Sequence, residues 1–315
     1  MVARAWLLLG ALVCLEAGAQ VPPLRAWVVV EGKFGAIDPS GNLVLPARYE
    51  AAGPFVGGLA PVQDGGAWGY LRATGTWALP VAYQQAGPFG SGVAAINRSG
   101  WRVELIDTLG QTVVPPRFGF GYGHTLGEAA DGVYPAVDPS TQRYGLVSVR
   151  GDTLLGFDLA YIGPYRNHRA AAVVAGEWVY LDSAGAVVFR APRGTEALGE
   201  WGEGYGWLQR EGRWEVVDAA GRVTPIRQSR FEFLEARDAA PPGSFSGGVA
   251  AVKVGGKWGY LRPDGSWAIR PQFEAAGPFR FGYAPARHLG RWGYLHPDGR
   301  WAIAPQFEYA QPFSR

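Results

Sequence analysis

From Ala26 onward, short apolar runs alternate with breaks rich in glycine, proline and aspartate. Around the break at Pro263-Asp264-Gly265, the runs Trp258-Gly-Tyr260-Leu261 and Trp267-Ala-Ile269 set large side chains at alternate positions. Period two on both sides of an Asp-Gly turn predicts a β-hairpin. The sentence is then written again: KWGYLRPDGSWAIRPQFEAAGPF runs from Lys257 to Phe279, and RWGYLHPDGRWAIAPQFEYAQPF from Arg291 to Phe313. A phrase recurring at this distance predicts stacked or radial supersecondary units.

With the first aromatic of the phrase as anchor, the repeat extends through Phe34, Trp68, Trp101, Tyr144, Trp178, Trp214, Trp258 and Trp292, at gaps of 34, 33, 43, 34, 36, 44 and 34 residues. A turn glycine follows seven residues later at Gly41, Gly75, Gly185, Gly221, Gly265 and Gly299. Further aromatics follow at Tyr49, Tyr83, Phe118, Phe273 and Phe307, and again at Phe55, Phe89, Tyr165, Phe279 and Phe313. A last short strand closes the unit, as in Gly58-Leu-Ala60-Pro-Val62 and Gly248-Val-Ala250-Ala-Val252. Each unit therefore reads as a small β-meander, and about eight begin near residues 33, 67, 100, 143, 177, 213, 257 and 291. The eighth stops without its last strand, while Ala26-Trp-Val-Val-Val30 supplies such a strand ahead of the first unit. Pairing the two ends removes exposed sheet edges, which favours a closed, β-propeller-like ring. An open β-solenoid array is the alternative, since 34 residues is short beside the roughly 40–50 of common propeller repeats.

Composition supports an all-β chain: 47 glycines and 24 prolines in 315 residues disfavour long helices, and 48% apolar content is ample for a core. Arg4, the apolar run from Trp6 to Leu15 and Ala17-Gly18-Ala19 form a secretory signal pattern, predicting export with residues 1–19 removed and 20–315 as one domain. That run is too short to span a bilayer, and no later segment offers an integral membrane span. Cys14 is the sole cysteine and leaves with the signal, so no disulfide or thiolate metal site is expected. Charge is balanced at 29 Lys+Arg against 27 Asp+Glu, which leaves no electrostatic footprint for nucleic acid.

The Lys-Trp-Gly-Tyr opening, the Asp-Gly turn, the Pro-Gln-Phe-Glu step and the Gly-x-Ala-x-Val phrase together resemble the WG, or KWG, repeats of bacterial proteins. The likeness covers residues 24–315 and is weakest between about 101 and 245. It implies an all-β repeat protein, often exported, that mediates binding, and it lends no catalytic residue.

Candidate chemistry is sparse. A buried anchor removes roughly 150–250 Å² from water, worth roughly 4–6 kcal/mol gross, so the eight anchors are expected to be core. Off-register aromatics, Trp201, Trp207 and Tyr122, are the better candidates for stacking a ligand such as a sugar. Asp38, Asp107, Asp182 and Asp218 stand three residues before turn glycines, a pattern of Asp turns rather than calcium loops. His124, His168, His288 and His296 lack metal-ligand spacing, and no cofactor is indicated. The carboxylates Glu232, Glu235 and Asp238 keep a glycosidase pair open as an alternative. Two gaps exceed the 34-residue unit by about ten, around Arg117 to Asp131 and Arg227 to Ser244. Insertions fall in loops, and equivalent loops emerge on one side of a ring. Tyr122, His124 and Glu128 with Arg230, Phe233 and Glu235 therefore define the expected recognition surface of a binding or scaffolding protein whose partner is a protein or a cell-envelope glycan.

Overall fold

The computed structural model describes residues 21–119, 126, 128–226 and 242–315, and every regular element among them is a strand. The strands form eight antiparallel sheets, six of four strands and two of three, set as the blades of a closed ring. Blade two shows the plan: Ala51–Ala52, Leu59–Asp64, Ala67–Arg72 and Trp77–Tyr83 pair in chain order. Blade three repeats it with Gln85–Gly90, Val93–Asn97, Val103–Asp107 and Thr112–Phe118. Blade one takes its second to fourth strands from Ala26–Val30, Lys33–Ile37 and Leu43–Tyr49, and its first strand from Tyr309–Ala310. The ends of the chain thus close the circle, Val28 opposite Ala310 and Val29 opposite Tyr309.

Each blade touches the next in a fixed way. The turn between third and fourth strands carries a glycine at positive φ, and that glycine lies against an apolar side chain of the preceding blade's fourth strand: Gly75 on Leu45, Gly110 on Leu79, Gly151 on Val114, Gly299 on Ile269. Gly41 lies on Ile303, which carries the contact across the closure. A second tie runs from the third strand of one blade to the first-strand stretch of the next. The Tyr70, Tyr180, Tyr260 and Tyr294 hydroxyls donate to the carbonyls of Gly87, Gly199, Gly277 and Gln311 at 2.8–2.9 Å. These four tyrosines are fully buried, and burial pushes their ionisation well above the ordinary range.

The glycine after the anchor has a steric cause. In blade eight, Trp292 faces Phe307 and Tyr294 faces Ile303, so the fourth strand uses two more residues than the third over the same interval. The surplus arches over Gly293, where a Cβ would stand 2.5 Å from the Ile303 carbonyl oxygen and 2.7 Å from the Pro305 nitrogen. Gly35, Gly69, Gly145 and Gly259 lie under the same arch. Where Val179 and Glu215 stand in the glycine's place, the fourth strand pairs without an arch there. Blade three breaks the rule, since it keeps the arch but runs it over Glu104.

The anchors divide. Tyr144 and Trp214 are buried, while Phe34, Trp68, Trp178, Trp258 and Trp292 are half-buried; after the four tryptophans of this set the deepest aromatic is the tyrosine two residues on. Trp101 is a correction: it is 71% exposed and precedes the third strand. Val103 takes the anchor's place opposite Phe118, because the hairpin before it has five residues where most blades have two. Trp207 and Trp201, expected as ligand candidates, are core as well. Trp207 stacks on Phe245 and donates to the Gly243 carbonyl, while Trp201 packs edge-on to Tyr180 beneath the Arg169 guanidinium.

Candidate functional site

Alternating strand direction gives the ring two unlike faces. One carries the turns between strands one and two and between strands three and four. The other carries the hairpins between strands two and three and the junctions that lead into the next blade. On the first face the aspartates close their own turns: Asp38, Asp107, Asp182 and Asp218 each accept backbone N–H bonds from residues two and four positions on. The turns between strands one and two touch one another around the axis. Ser91 accepts from the Gly132 N–H, Asp131 from the His168 N–H, and Glu203 from the N–H groups of Gly247 and Gly248. A cavity of about 300 Å³ opens on this rim, lined by Glu203, Ser246, Arg280 and Phe281 among others.

On the junction face most hairpins are two-residue turns, such as Gly65-Gly66 and Leu289-Gly290, whose N–H groups are held by a glutamate of the preceding junction. Glu50 accepts from Gly66, Glu196 from Gly212, Glu274 from Gly290, and Glu308 from Gly32. Blades three and four depart from this pattern. Their hairpins are the longer segments Arg98–Arg102 and Asp138–Arg143. At the boundary of blades two and three a cavity of about 390 Å³ opens, lined by Gly66, Ala67, Ala82, Tyr83, Gln84, Arg98, Ser99 and Gly100. Gln84 stands where the capping glutamates stand elsewhere, sixteen residues before Gly100 as Glu50 is before Gly66. In the cavity wall the Arg98 guanidinium lies 5.2 Å from the Tyr83 ring centre and is bonded to Glu104 behind it, whose side chain is 5% exposed. Burial raises the Tyr83 hydroxyl pKa, Arg98 pulling it back and Glu104 adding to the rise. Among the described residues only Asn97, Glu104 and Ser314 are polar or charged and buried, and the first two belong to this corner. Asn97 donates to the Gly100 and Arg102 carbonyls and so shapes the loop, while its own side-chain oxygen has no partner.

The family described as WG containing repeat matches residues 34–66, 68–100, 238–258, 258–292 and 292–315. This is a WG-repeat protein. The WG-repeat ring is also similar in fold to solved propellers. BamB from Moraxella catarrhalis superposes at a TM-score of 0.53 with 13% identity over 87% of this chain and 88% of that one. The dihydro-heme d1 dehydrogenase NirN, solved in complex with DHE, gives 0.55 with 11% identity over 94% and 74%. A eukaryotic initiation factor gives 0.52 with 11% identity over 89% and 83%. At these identities the likeness concerns the fold alone. No curated protein matches the chain.

Of the recognition residues expected from sequence, Tyr122, His124, Arg230, Phe233 and Glu235 lie outside the described residues of the WG-repeat ring, as does the signal pattern of residues 1–19. Glu128 is described: its carboxylate is paired with Arg166 of blade five at 3.1 Å, which makes it a bond between neighbouring blades. The two long tracts nevertheless occupy equivalent places. Each leaves a fourth strand, after Phe118 and after Pro225, and re-enters before a second strand, at Val133 and at Ala250. Sequence reasoning missed Tyr83, Arg98 and Glu104. The signal was present in Gly110: seven residues before that turn glycine stands Val103, not Trp101.

Proposed function

We propose that this protein is an exported, non-catalytic binding or scaffolding module whose partner, a protein or a cell-envelope glycan, docks on the junction face. The supporting observation is that departures from the repeat collect there. The hairpins of blades three and four are lengthened, and both long tracts start from junctions, while on the opposite face the turn between third and fourth strands recurs in every blade, its glycine donating to the carbonyl three residues back. A repeat core tolerates variation in loops, and loops concentrated on one side of a rigid ring are where recognition residues are placed. Export rests on the charged, apolar and Ala-x-Ala pattern at residues 4–19.

The test is capture from solubilised envelope fractions by the immobilised protein, beside a variant with residues 120–127 and 227–241 cut to unit length and Asp138–Arg143 replaced by a two-residue Asn-Gly turn. A captured component lost with the variant, while its melting temperature holds, supports the reading. Equal capture by both would move the docking surface to the opposite face. Intact mass of the protein from its native host checks export: cleavage after Ala19 is expected, and retention of Met1 would refute it.

A further inference from the structure

Around the axis, the first residue of a turn between strands one and two lies beside the turn of the following blade. Where that residue carries an acceptor, it takes the neighbour's N–H: Ser91 that of Gly132, and Asp131 that of His168. Glu203 takes two, one on each carboxylate oxygen, from Gly247 and Gly248 at 2.8 Å. Gly247 holds the same place in blade seven and brings no side chain. The next turn, Phe281-Gly282, therefore has two backbone N–H groups with no cap from its neighbour. The cavity of about 300 Å³ on this rim lies at that spot, for Gly247, Phe281 and Gly282 all line it. Its size falls at the lower end of the roughly 300–1,000 Å³ of small-ligand sites. Among the described residues, Gly57 and Asn167 likewise leave the following turns uncapped, yet the residue ahead of those turns is a glycine, Gly90 or Gly202. In blade eight it is Arg280.

Arg280 lines the cavity, is exposed, and enters no ion pair among the described residues. Phe281 lines it too, and sits at φ 52°, a left-handed position that suits glycine, asparagine and aspartate and strains a bulky residue. The Arg315 guanidinium lies over its ring, 4.8 Å from the centre, and the residue is still 47% exposed. An aromatic kept partly in water at the cost of backbone strain points to use rather than to packing. The chemistry follows from the blade before. A carboxylate bound at Phe281 and Gly282 would repeat what Glu203 does for Gly247 and Gly248, one N–H to each oxygen, with Arg280 adding charge-assisted bonds. Glu203 also lines the cavity; its carboxylate engages one N–H per oxygen and keeps lone pairs for a further donor, while its charge disfavours a dianion. Pro297 and Phe281, both exposed, supply an apolar wall. The geometry points to a site that captures the C-terminal carboxylate of a peptide whose last residue is apolar. The carboxylate lies on the Phe281 and Gly282 N–H groups and on Arg280, the last side chain lies against Phe281 and Pro297, and Glu203 accepts a peptide N–H. This site is on the face opposite the docking surface proposed above, so it goes beyond that reading and stands without it.

The test is calorimetric titration of the full chain with acetylated alanine-glycine pentapeptides ending in leucine, valine, phenylalanine or lysine, each as free acid and as C-terminal amide. An amide ending in glutamate and inorganic phosphate are titrated beside them. At least one free acid with an apolar last residue is expected to bind, its amide and the lysine acid binding at least tenfold more weakly. Arg280→Gln is expected to lower the affinity tenfold or more with an unchanged melting temperature, since the side chain is exposed. Phe281→Asn is expected to weaken binding while the melting temperature holds or rises, because asparagine suits the left-handed turn. A residue that served packing alone would show the reverse. The inference is overturned if no free acid binds, if acid and amide bind alike, if the glutamate amide or phosphate binds best, or if Arg280→Gln binds as tightly as the parent. The variant with shortened tracts and hairpin is expected to bind the peptide like the parent whatever envelope capture shows, so the two proposals fail separately.

Discussion

Replacing Gly293 by alanine isolates the arch that defines the WG phrase. The added methyl would lie 2.5 Å from the Ile303 oxygen, 2.7 Å from the Pro305 nitrogen and 2.9 Å from the Ala304 carbonyl carbon. All three contacts are backbone, so no rotamer relieves them, and the fixed φ of Pro305 stiffens the segment that would have to move. The arch is pinned on both sides by the Tyr294–Ile303 and Trp292–Phe307 pairs. Overpacking of this kind costs about 1–3 kcal/mol and sometimes more. Against it stands the reduced freedom of the unfolded chain, which stabilises an alanine variant by about 0.4–1 kcal/mol. A net loss of about 1–2 kcal/mol follows, which at roughly 2–4 °C per kcal/mol for a domain of this order is a fall of about 2–8 °C in melting temperature. The control is Gly156→Ala in a fourth strand, where a Cβ would meet nothing within 4 Å. That variant is expected to melt at or slightly above the parent. Thermal and urea unfolding of the three proteins decides the matter: if Gly293→Ala and Gly156→Ala melt within a degree of one another, the arch is not why glycine stands there.

Trp27 is fully buried in the closing blade and stacks on Phe55 with ring centres 5.2 Å apart, so Trp27→Ala is expected to lose about 3–5 kcal/mol in urea unfolding. A loss under about 1 kcal/mol would mean that the N-terminal strand hangs on the ring without holding it. Tyr260→Phe keeps the ring packing and removes the 2.9 Å bond to the Gly277 carbonyl, for an expected loss of about 1 kcal/mol by the same assay, and an unchanged midpoint would discount this tie between blades. Tyr70, Tyr165, Tyr180, Tyr260 and Tyr294 have hydroxyl pKa values raised in the fold from an ordinary value of 10.0, burial being the first cause. The unfolded chain therefore releases these protons first as pH climbs; their stabilisation is complete below pH 10 and drains away above it. Melting temperatures are expected to fall steadily between pH 10 and 11.5, and a flat profile there would contradict the buried tyrosine ties.

The ring was legible in the sequence wherever a local rule decided the structure. Turn glycines at fixed distance from the anchor are needed for positive φ, and the strand missing after Phe313 and present at Ala26–Val30 told where the circle closes. The anchor rule failed at Trp101, because an aromatic in a lengthened hairpin imitates one that opens a strand, and spacing from the preceding anchor cannot tell the two apart. It also misjudged depth. Which of Trp258 and Tyr260 is deepest depends on what the neighbouring blade offers, and the Gly277 carbonyl that receives the Tyr260 hydroxyl is a tertiary fact. Trp207 and Trp201 looked unemployed because they are off register, yet blade six uses them as core in place of the usual tyrosine and phenylalanine. The corner around Arg98 and Glu104 was hidden for a related reason: an ion pair between a loop arginine and a buried strand carboxylate depends on the path of the loop, and sequence supplies only the residues.

The closing pair sets a timetable for the chain. Val28 waits for Ala310, and at a synthesis rate of roughly 5–20 residues per second the interval is on the order of 15–60 seconds. Throughout it the run Ala26-Trp-Val-Val-Val30 has one edge with no partner, and it is uncharged, free of proline and rich in β-branched residues, the composition that recruits foreign strands. The segment that seals the finished ring is thus its chief hazard in the making. A companion protein that covers that one edge until the last blade emerges would protect the whole assembly.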